Sequence, residues 1–135
     1  MSAQHPVVGS WRVAVDVGHV HGPTNLALLA ADGTVLVAFP SPTPAAPGAG
    51  HQLEYWTPAV GSWQPSGDHG ATMRFEALGV DEHGAAIGTH TIAATVKTDS
   101  AGQGWSGPFT ITIAGADGAT IATVSGTVTA TRISP

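Results

Sequence analysis

Residues 105–133, WSGPFTITIAGADGATIATVSGTVTATRI, decide the fold of this chain. On both sides of Asp117-Gly118, apolar residues alternate with threonine or serine, so that each segment has one apolar face. Alternation with a period of two is typical of a β-strand with one buried face. An Asp-Gly pair accepts the positive φ angles of a two-residue hairpin turn. The stretch therefore predicts two long antiparallel strands joined by a tight turn.

The same alternation recurs along the chain, whereas no segment of useful length has the spacing of an amphipathic helix. Asp32-Gly33 predicts a second tight hairpin, and glycine-containing links at 82–84 and 100–104 predict two slightly longer ones. Short links imply antiparallel neighbours, because a parallel pair needs a long crossover. The eight predicted strands are Val7–Val17, Asn25–Ala30, Thr34–Phe39, Gln52–Trp56, Ala71–Val80, Ala86–Thr98, Trp105–Ala114 and Ala119–Ile133.

The segment 40–50 interrupts this pattern. It contains four prolines, which a central strand does not accommodate. We expect an extended, mobile loop there, either a lid at the mouth of a barrel or a surface insertion.

An eight-stranded antiparallel meander would leave two sheet edges exposed. Closure into a barrel removes both edges and leaves room for one small ligand. The 135 residues suffice for one such domain, spanning 1–135. The predicted fold class is therefore all-β, an eight-stranded antiparallel up-and-down β-barrel. Its outward faces are rich in neutral threonine, which is compatible with a homo-oligomer formed by contacts between barrels.

Composition excludes several partners and chemistries. A net charge of −5 with a single lysine argues against nucleic acid and anionic membrane surfaces as partners. No apolar run reaches the about 18 residues of a membrane span. The absence of cysteine excludes disulfides, thiolate metal sites and cysteine nucleophiles. The first residues lack the basic and apolar stretches of a signal peptide, so we expect a cytoplasmic protein.

Gly9-Ser10-Trp11 opens the first predicted strand and resembles the Gly-X-Trp signature of the calycin superfamily, which includes lipocalins, fatty-acid-binding proteins and avidins. In these barrels an arginine of a late strand stacks across that tryptophan at the closed end, and Arg132 stands at the matching place. The resemblance implies that Trp11 and Arg132 are structural residues, joined by a cation–π contact. A second triplet, Gly61-Ser62-Trp63, and the following Gly67-Asp68 resemble small bacterial lipocalin-like proteins.

Aromatic and imidazole rings cluster around the fourth predicted strand, at Tyr55, Trp56, Trp63 and His69, next to the proline-rich segment. We expect them to form one rim of an apolar pocket. Many inward positions carry alanine or glycine, which favours an unfilled interior over a solid core. The predicted ligand-binding residues are Trp56, Trp63, His69, Met73, Phe75, His90 and Phe109.

His90 alternates with Ile92 and Ala94, so it is predicted to point inward. Three interpretations are open: a hydrogen-bonded core residue, a donor to a bound ligand, or a general acid or base with a pKa near neutrality. Ligation of a haem iron, as in nitrobindin-type barrels, has no supporting second feature. His19 and His21 would share one face of a strand, yet glycine and proline surround them and no third ligand follows at a metal-site spacing. We therefore predict no metal site.

The chain has no Gly-X-Ser-X-Gly elbow, phosphate loop or dinucleotide fingerprint, so we expect no cofactor. The first hypothesis for function is the binding of a small apolar molecule inside the barrel. The alternative is a cofactor-independent cyclase or isomerase acting on a polyketide- or terpenoid-like substrate, with His90 and Tyr55 as catalytic residues. Allene oxide cyclases and spirotetronate cyclases are barrels of this kind, but a fold does not specify a function. The Ala-, Gly- and Pro-rich composition is typical of high-GC bacteria, in which such cyclases are common.

Overall fold

The computed structural model describes residues 4–18 and 20–135, and all regular elements in this part of the chain are β-strands. Within it, no helix is long and apolar enough to cross a membrane. The strands are β1 Gly9–Val17, β2 Val20–His21, β3 Asn25–Leu29, β4 Thr34–Ala38, β5 Thr43–Pro44, β6 Leu53–Trp56, β7 Ala59–Ser66, β8 Gly70–Asp81, β9 Ala86–Thr98, β10 Gly104–Ala114 and β11 Thr120–Arg132.

Eight of these strands form a closed antiparallel barrel in the order β8-β7-β4-β3-β1-β11-β10-β9, and β9 pairs with β8 to close it. The predicted eight-stranded up-and-down barrel is confirmed. Its first and last strands are neighbours, with Trp11 paired to Arg132 at one end and Asp16 paired to Thr127 towards the other. Hairpin turns form at both predicted Asp-Gly pairs, where Gly33 and Gly118 have φ angles of 95° and 85°. They are three-residue turns rather than the predicted two-residue ones: the N–H of Ala30 donates to the carbonyl of Thr34 and the N–H of Gly115 to that of Ala119, and neither aspartate has a positive φ.

The strand β7 is absent from the sequence prediction, which ended the fourth strand at Trp56 and began the fifth at Ala71. Both β6 and β7 pair with β8 in the same direction, and residues 57–59 stand opposite only residues 77–78. The two segments therefore make one wall of the barrel, broken by a bulge where Pro58 lacks an N–H for the ladder. The strand was not predicted because one of its inward positions is a glycine. A Cβ at Gly61 would collide with the backbone of Arg74, so this position carries no apolar side chain that would show the alternation.

Part of the proline-rich segment forms a strand and not the predicted loop. Thr43-Pro44 forms the short strand β5 on the outer edge of β6, and the backbone N–H of Ala45 donates to the carbonyl of Gln52 at 2.9 Å. Proline is compatible with this position because an edge strand does not need every N–H for pairing.

One end of the barrel is plugged by the chain that precedes β1. Trp11 is fully buried, and its Nε1 donates to the carbonyl of Val7 at 2.9 Å. Arg132 donates to the carbonyls of Pro6, Val8 and Gly102 at 2.8, 3.0 and 2.9 Å. We call this the closed end. The opposite end, where β5 and β6 lie, is the open end.

Candidate ligand-binding cavity

The interior of the barrel contains a cavity of about 280 Å³. Its wall is built from the inward positions of strands on every side of the barrel, and most of these side chains are aliphatic or aromatic. Small residues such as Ala27 and Ala94 occupy buried wall positions, so neighbouring side chains do not fill the centre. The cavity is slightly below the range of roughly 300–1,000 Å³ for ligand pockets, which suits a compact molecule.

Five of the seven residues predicted to bind ligand border this cavity. They are Trp56, Met73, Phe75, His90 and Phe109. Met73 and Phe75 alternate along β8 with exposed Arg74 and Glu76, as the period of two predicts for a strand with one buried face.

The other aromatic residues of the predicted rim lie elsewhere. Trp63 lies near the closed end, where its Nε1 donates to the carbonyl of Ala30 at 2.7 Å and its ring centroid is 5.5 Å from that of His5. His69 contacts Thr98, whose hydroxyl donates to the His69 carbonyl at 3.1 Å. Tyr55 is 39% exposed, because adjacent strand residues point to opposite faces and Trp56 takes the inward one. The predicted rim is therefore wrong for Trp63, His69 and Tyr55, none of which borders the cavity.

Trp56 and His90 stack at the open end, with ring centroids 3.6 Å apart and an angle of 24° between the planes. The Nε1 of Trp56 donates to Oε1 of Glu54 at 3.2 Å. The other carboxylate oxygen, Oε2, lies 2.9 Å from Nε2 of His51. Gly79 also lies against the indole, where a Cβ would be 2.7 Å from Cη2 of Trp56. A glycine at this point lets the ring lie flat against the backbone.

Burial lowers the pKa of His90, and the nearby Glu54 carboxylate opposes this only in part. The imidazole is therefore neutral at pH 7, with one nitrogen that donates and one that accepts. Among the described residues, neither nitrogen has a hydrogen-bond partner. No described residue therefore supports the interpretation of His90 as a hydrogen-bonded core residue, and none competes with a ligand for its two nitrogens.

The pKa of His51, which contacts Glu54 at the mouth of the barrel, is shifted in the opposite direction to that of His90. The hydrogen bond to Glu54 raises the pKa of His51. Glu82, in the turn between β8 and β9, has its pKa lowered to about 2, chiefly by the backbone N–H groups of Gln52 and Leu53. These contacts connect that turn to the start of β6 and hold the Glu54 side of the mouth in place.

Sequence reasoning missed two residues of the site. Glu54 pairs with no other carboxylate at a diagnostic spacing, so the sequence did not mark it as a site residue, although its spacing from Trp56 puts both on one face of a strand. Asn25 was not considered, although it shares the inward face of β3 with Ala27 and Leu29. It borders the cavity, is only 8% exposed, and its Oδ1 has no hydrogen-bond partner among the described residues.

In the part of the chain that the structure describes, no three His, Asp or Glu side chains are grouped so that they could hold a metal ion. His19 and the side chain of His21 lie outside the described residues. Comparison of the chain with protein-family models, with curated proteins and with solved structures gave no match.

Proposed function

We propose that this protein binds a small, mainly apolar molecule inside the barrel. The observation that carries the proposal is the 280 Å³ interior cavity, walled by apolar side chains and plugged at one end by Trp11 and Arg132. Burial of apolar ligand surface there contributes roughly 25 cal/mol per Å².

The closed end supports a calycin-type protein, and hence a lipocalin-like role in ligand binding. The guanidinium carbon of Arg132 lies 4.3 Å from the ring centroid of Trp11, which is the contact that the calycin resemblance implies. Its three hydrogen bonds to backbone carbonyls connect the last strand to the segment before the first. Such a plug leaves the open end as the route for a ligand.

Intrinsic fluorescence tests binding directly, because Trp56 and Trp105 both border the cavity. Titration with a compact apolar molecule is expected to change the tryptophan emission in a saturable way. Ala94→Phe fills the cavity and should abolish the change, while Ala93→Leu, on the exposed face of the same strand, should preserve it. Equal titration curves for both variants would overturn the proposal.

His90 supports a second candidate, a cofactor-independent cyclase or isomerase. A neutral imidazole without a hydrogen-bond partner among the described residues, beside the carboxylate of Glu54, can donate a hydrogen bond to a substrate carbonyl or accept a proton. Tyr55 has no part in this mechanism, because it lies outside the cavity. Incubation with linear polyene or polyketide-like molecules followed by mass spectrometry tests it. A product of equal mass and shifted retention, lost in His90→Ala, would favour the enzyme, and recovery of every compound unchanged would reject it.

A further inference from the structure

Two buried side-chain atoms in the described part of the chain lack a hydrogen-bond partner, Oδ1 of Asn25 and Nε1 of Trp105. Both residues border the cavity. Buried polar groups in native proteins are nearly always paired, with protein or with a bound molecule. Two exceptions around one cavity therefore point to a partner that enters from outside the chain.

The two residues belong to one cross-strand row. Asn25 pairs with Val13, Val13 with Ala130, and Ala130 with Trp105. All four side chains are buried on the inward face of the barrel, and the two between the polar residues are small. Asn25 and Trp105 are thus three strands apart in an eight-stranded barrel, and they approach the interior from different sides.

The side chain of Asn25 offers both a donor and an acceptor, whereas the indole of Trp105 offers only a donor. A carbonyl oxygen accepts from such donors, and a hydroxyl group can also donate to the amide oxygen. A pure hydrocarbon would leave these groups unpaired in an apolar surrounding, which costs binding free energy.

The charges around the cavity exclude an acid as the preferred ligand. Among the described residues, neither lysine nor arginine borders it, while the carboxylate of Glu54 does. The imidazole of His90 is neutral at pH 7 and does not supply the missing positive charge. A ligand carboxylate would therefore lose its hydration without gaining a counter-ion.

We infer that the ligand is a compact, neutral, oxygen-bearing molecule, an alcohol or ketone on an apolar ring system, and that Asn25 is the residue that recognises its oxygen. The inference rests on the proposed binding function and adds the chemical class of the ligand. It also implies that Asn25 lowers the stability of the ligand-free protein, because its buried Oδ1 has no partner among the described residues until a ligand arrives.

Four compounds that share the adamantane cage test this inference: 1-adamantanol, 2-adamantanone, 1-chloroadamantane and adamantane-1-carboxylate. Titrations of the full chain at pH 7, followed by tryptophan fluorescence, are expected to give at least about 10-fold lower Kd values for the alcohol or ketone than for the chloride and the carboxylate. If none of the four binds, the proposed function itself fails. If all four bind with similar Kd values, binding stands and the inference is overturned.

Asn25→Leu, which keeps the number and branching of the side-chain heavy atoms, separates recognition from packing. We expect the variant to lose the preference for the oxygenated compounds and to bind 1-chloroadamantane at least as well as the wild type does. Its Tm without ligand should rise by about 2–8 °C, since an unpaired buried amide has been removed. A retained preference, or a lower Tm without loss of preference, would contradict the inference.

NMR of the wild-type protein provides a readout that does not depend on the folding of any variant. The Nδ2 protons of Asn25 should shift on addition of 1-adamantanol or 2-adamantanone and shift less with 1-chloroadamantane. Equal shifts with all three compounds would show that Asn25 senses occupancy alone and would overturn its assigned role.

Discussion

Gly79 lies directly against the indole of Trp56, so closely that a Cβ on the glycine would approach Cζ2, Cζ3 and Cη2 of the ring to between 2.7 and 2.9 Å. The indole therefore lies against bare backbone at Gly79 and also stacks on the imidazole of His90. Trp56 and His90 form part of the cavity wall at the open end, and the close approach of the indole makes Gly79 a determinant of cavity shape.

Gly79→Ala should displace the indole of Trp56 and separate it from His90. Because the ring belongs to the cavity wall, we expect at least a 10-fold loss of affinity for a bound apolar probe, which corresponds to about 1.4 kcal/mol. Gly115→Ala is the matched control, since its Cβ would meet the exposed side chains of Ile121 and Asp117 at 3.2 Å or more and no backbone. Fluorescence titration of both variants checks this, and an unchanged Kd in Gly79→Ala would contradict the assigned role.

The closed end should dominate the stability of the barrel. Trp11→Ala removes a fully buried indole, and we expect the free energy of unfolding to fall by about 3–5 kcal/mol. Arg132→Lys should cost about 2 kcal/mol, because an ammonium does not reproduce three directed hydrogen bonds and the stacking on Trp11. Urea denaturation measures both, with exposed Arg12→Lys as the control. A change below 1 kcal/mol in Trp11→Ala, of the order of an ordinary surface substitution, would exclude this role.

Stability should fall as the pH is lowered through about 6.5, the ordinary pKa of histidine. The folded-state pKa of His90 is lower than this, so between the two values the unfolded chain binds more protons than the folded one. His90→Gln should reduce this loss, and exposed His83→Gln should not. His51, whose pKa is raised by Glu54, contributes in the opposite direction, with stability that is present below 6.5 and lost as the pH rises. Parallel Tm–pH curves for wild type and His90→Gln would disprove the assignment.

Glu82 should support the mouth of the barrel over a more acidic range. Its folded-state pKa of about 2 lies below the ordinary 4.5, so its contribution is present above pH 4.5 and disappears as the pH falls towards 2. Glu82→Gln should lower the Tm at pH 7 and flatten the Tm profile between pH 4.5 and pH 2. Glu76→Gln on the exposed face of β8 serves as the control, and an identical acid profile in the two variants would be inconsistent with this role.

The period of two, the Asp-Gly turns and the length of the chain were sufficient to predict the closed barrel. These signals are local: a strand shows its buried face within a few residues, and a turn needs residues that accept positive φ angles. Met73, Phe75, His90 and Phe109 were placed on inward faces for the same reason. The strand β7 escaped prediction because Gly61 and Pro65 remove the two signals, alternation and β-propensity, on which such a prediction depends.

Only the tertiary structure decided which inward residues share a cavity and which ones plug the barrel. Trp56 and Trp63 are only seven residues apart in the chain. The wall that carries them runs from the open to the closed end of the barrel and places them at different ends. Asn25, His90 and Trp105 are distant in the chain, and closure of the barrel arranges them around one interior. The sequence determined the face on which each side chain lies, since that depends on its neighbours along the strand. Its position along the barrel axis depends on strand register, which only pairing between distant strands sets.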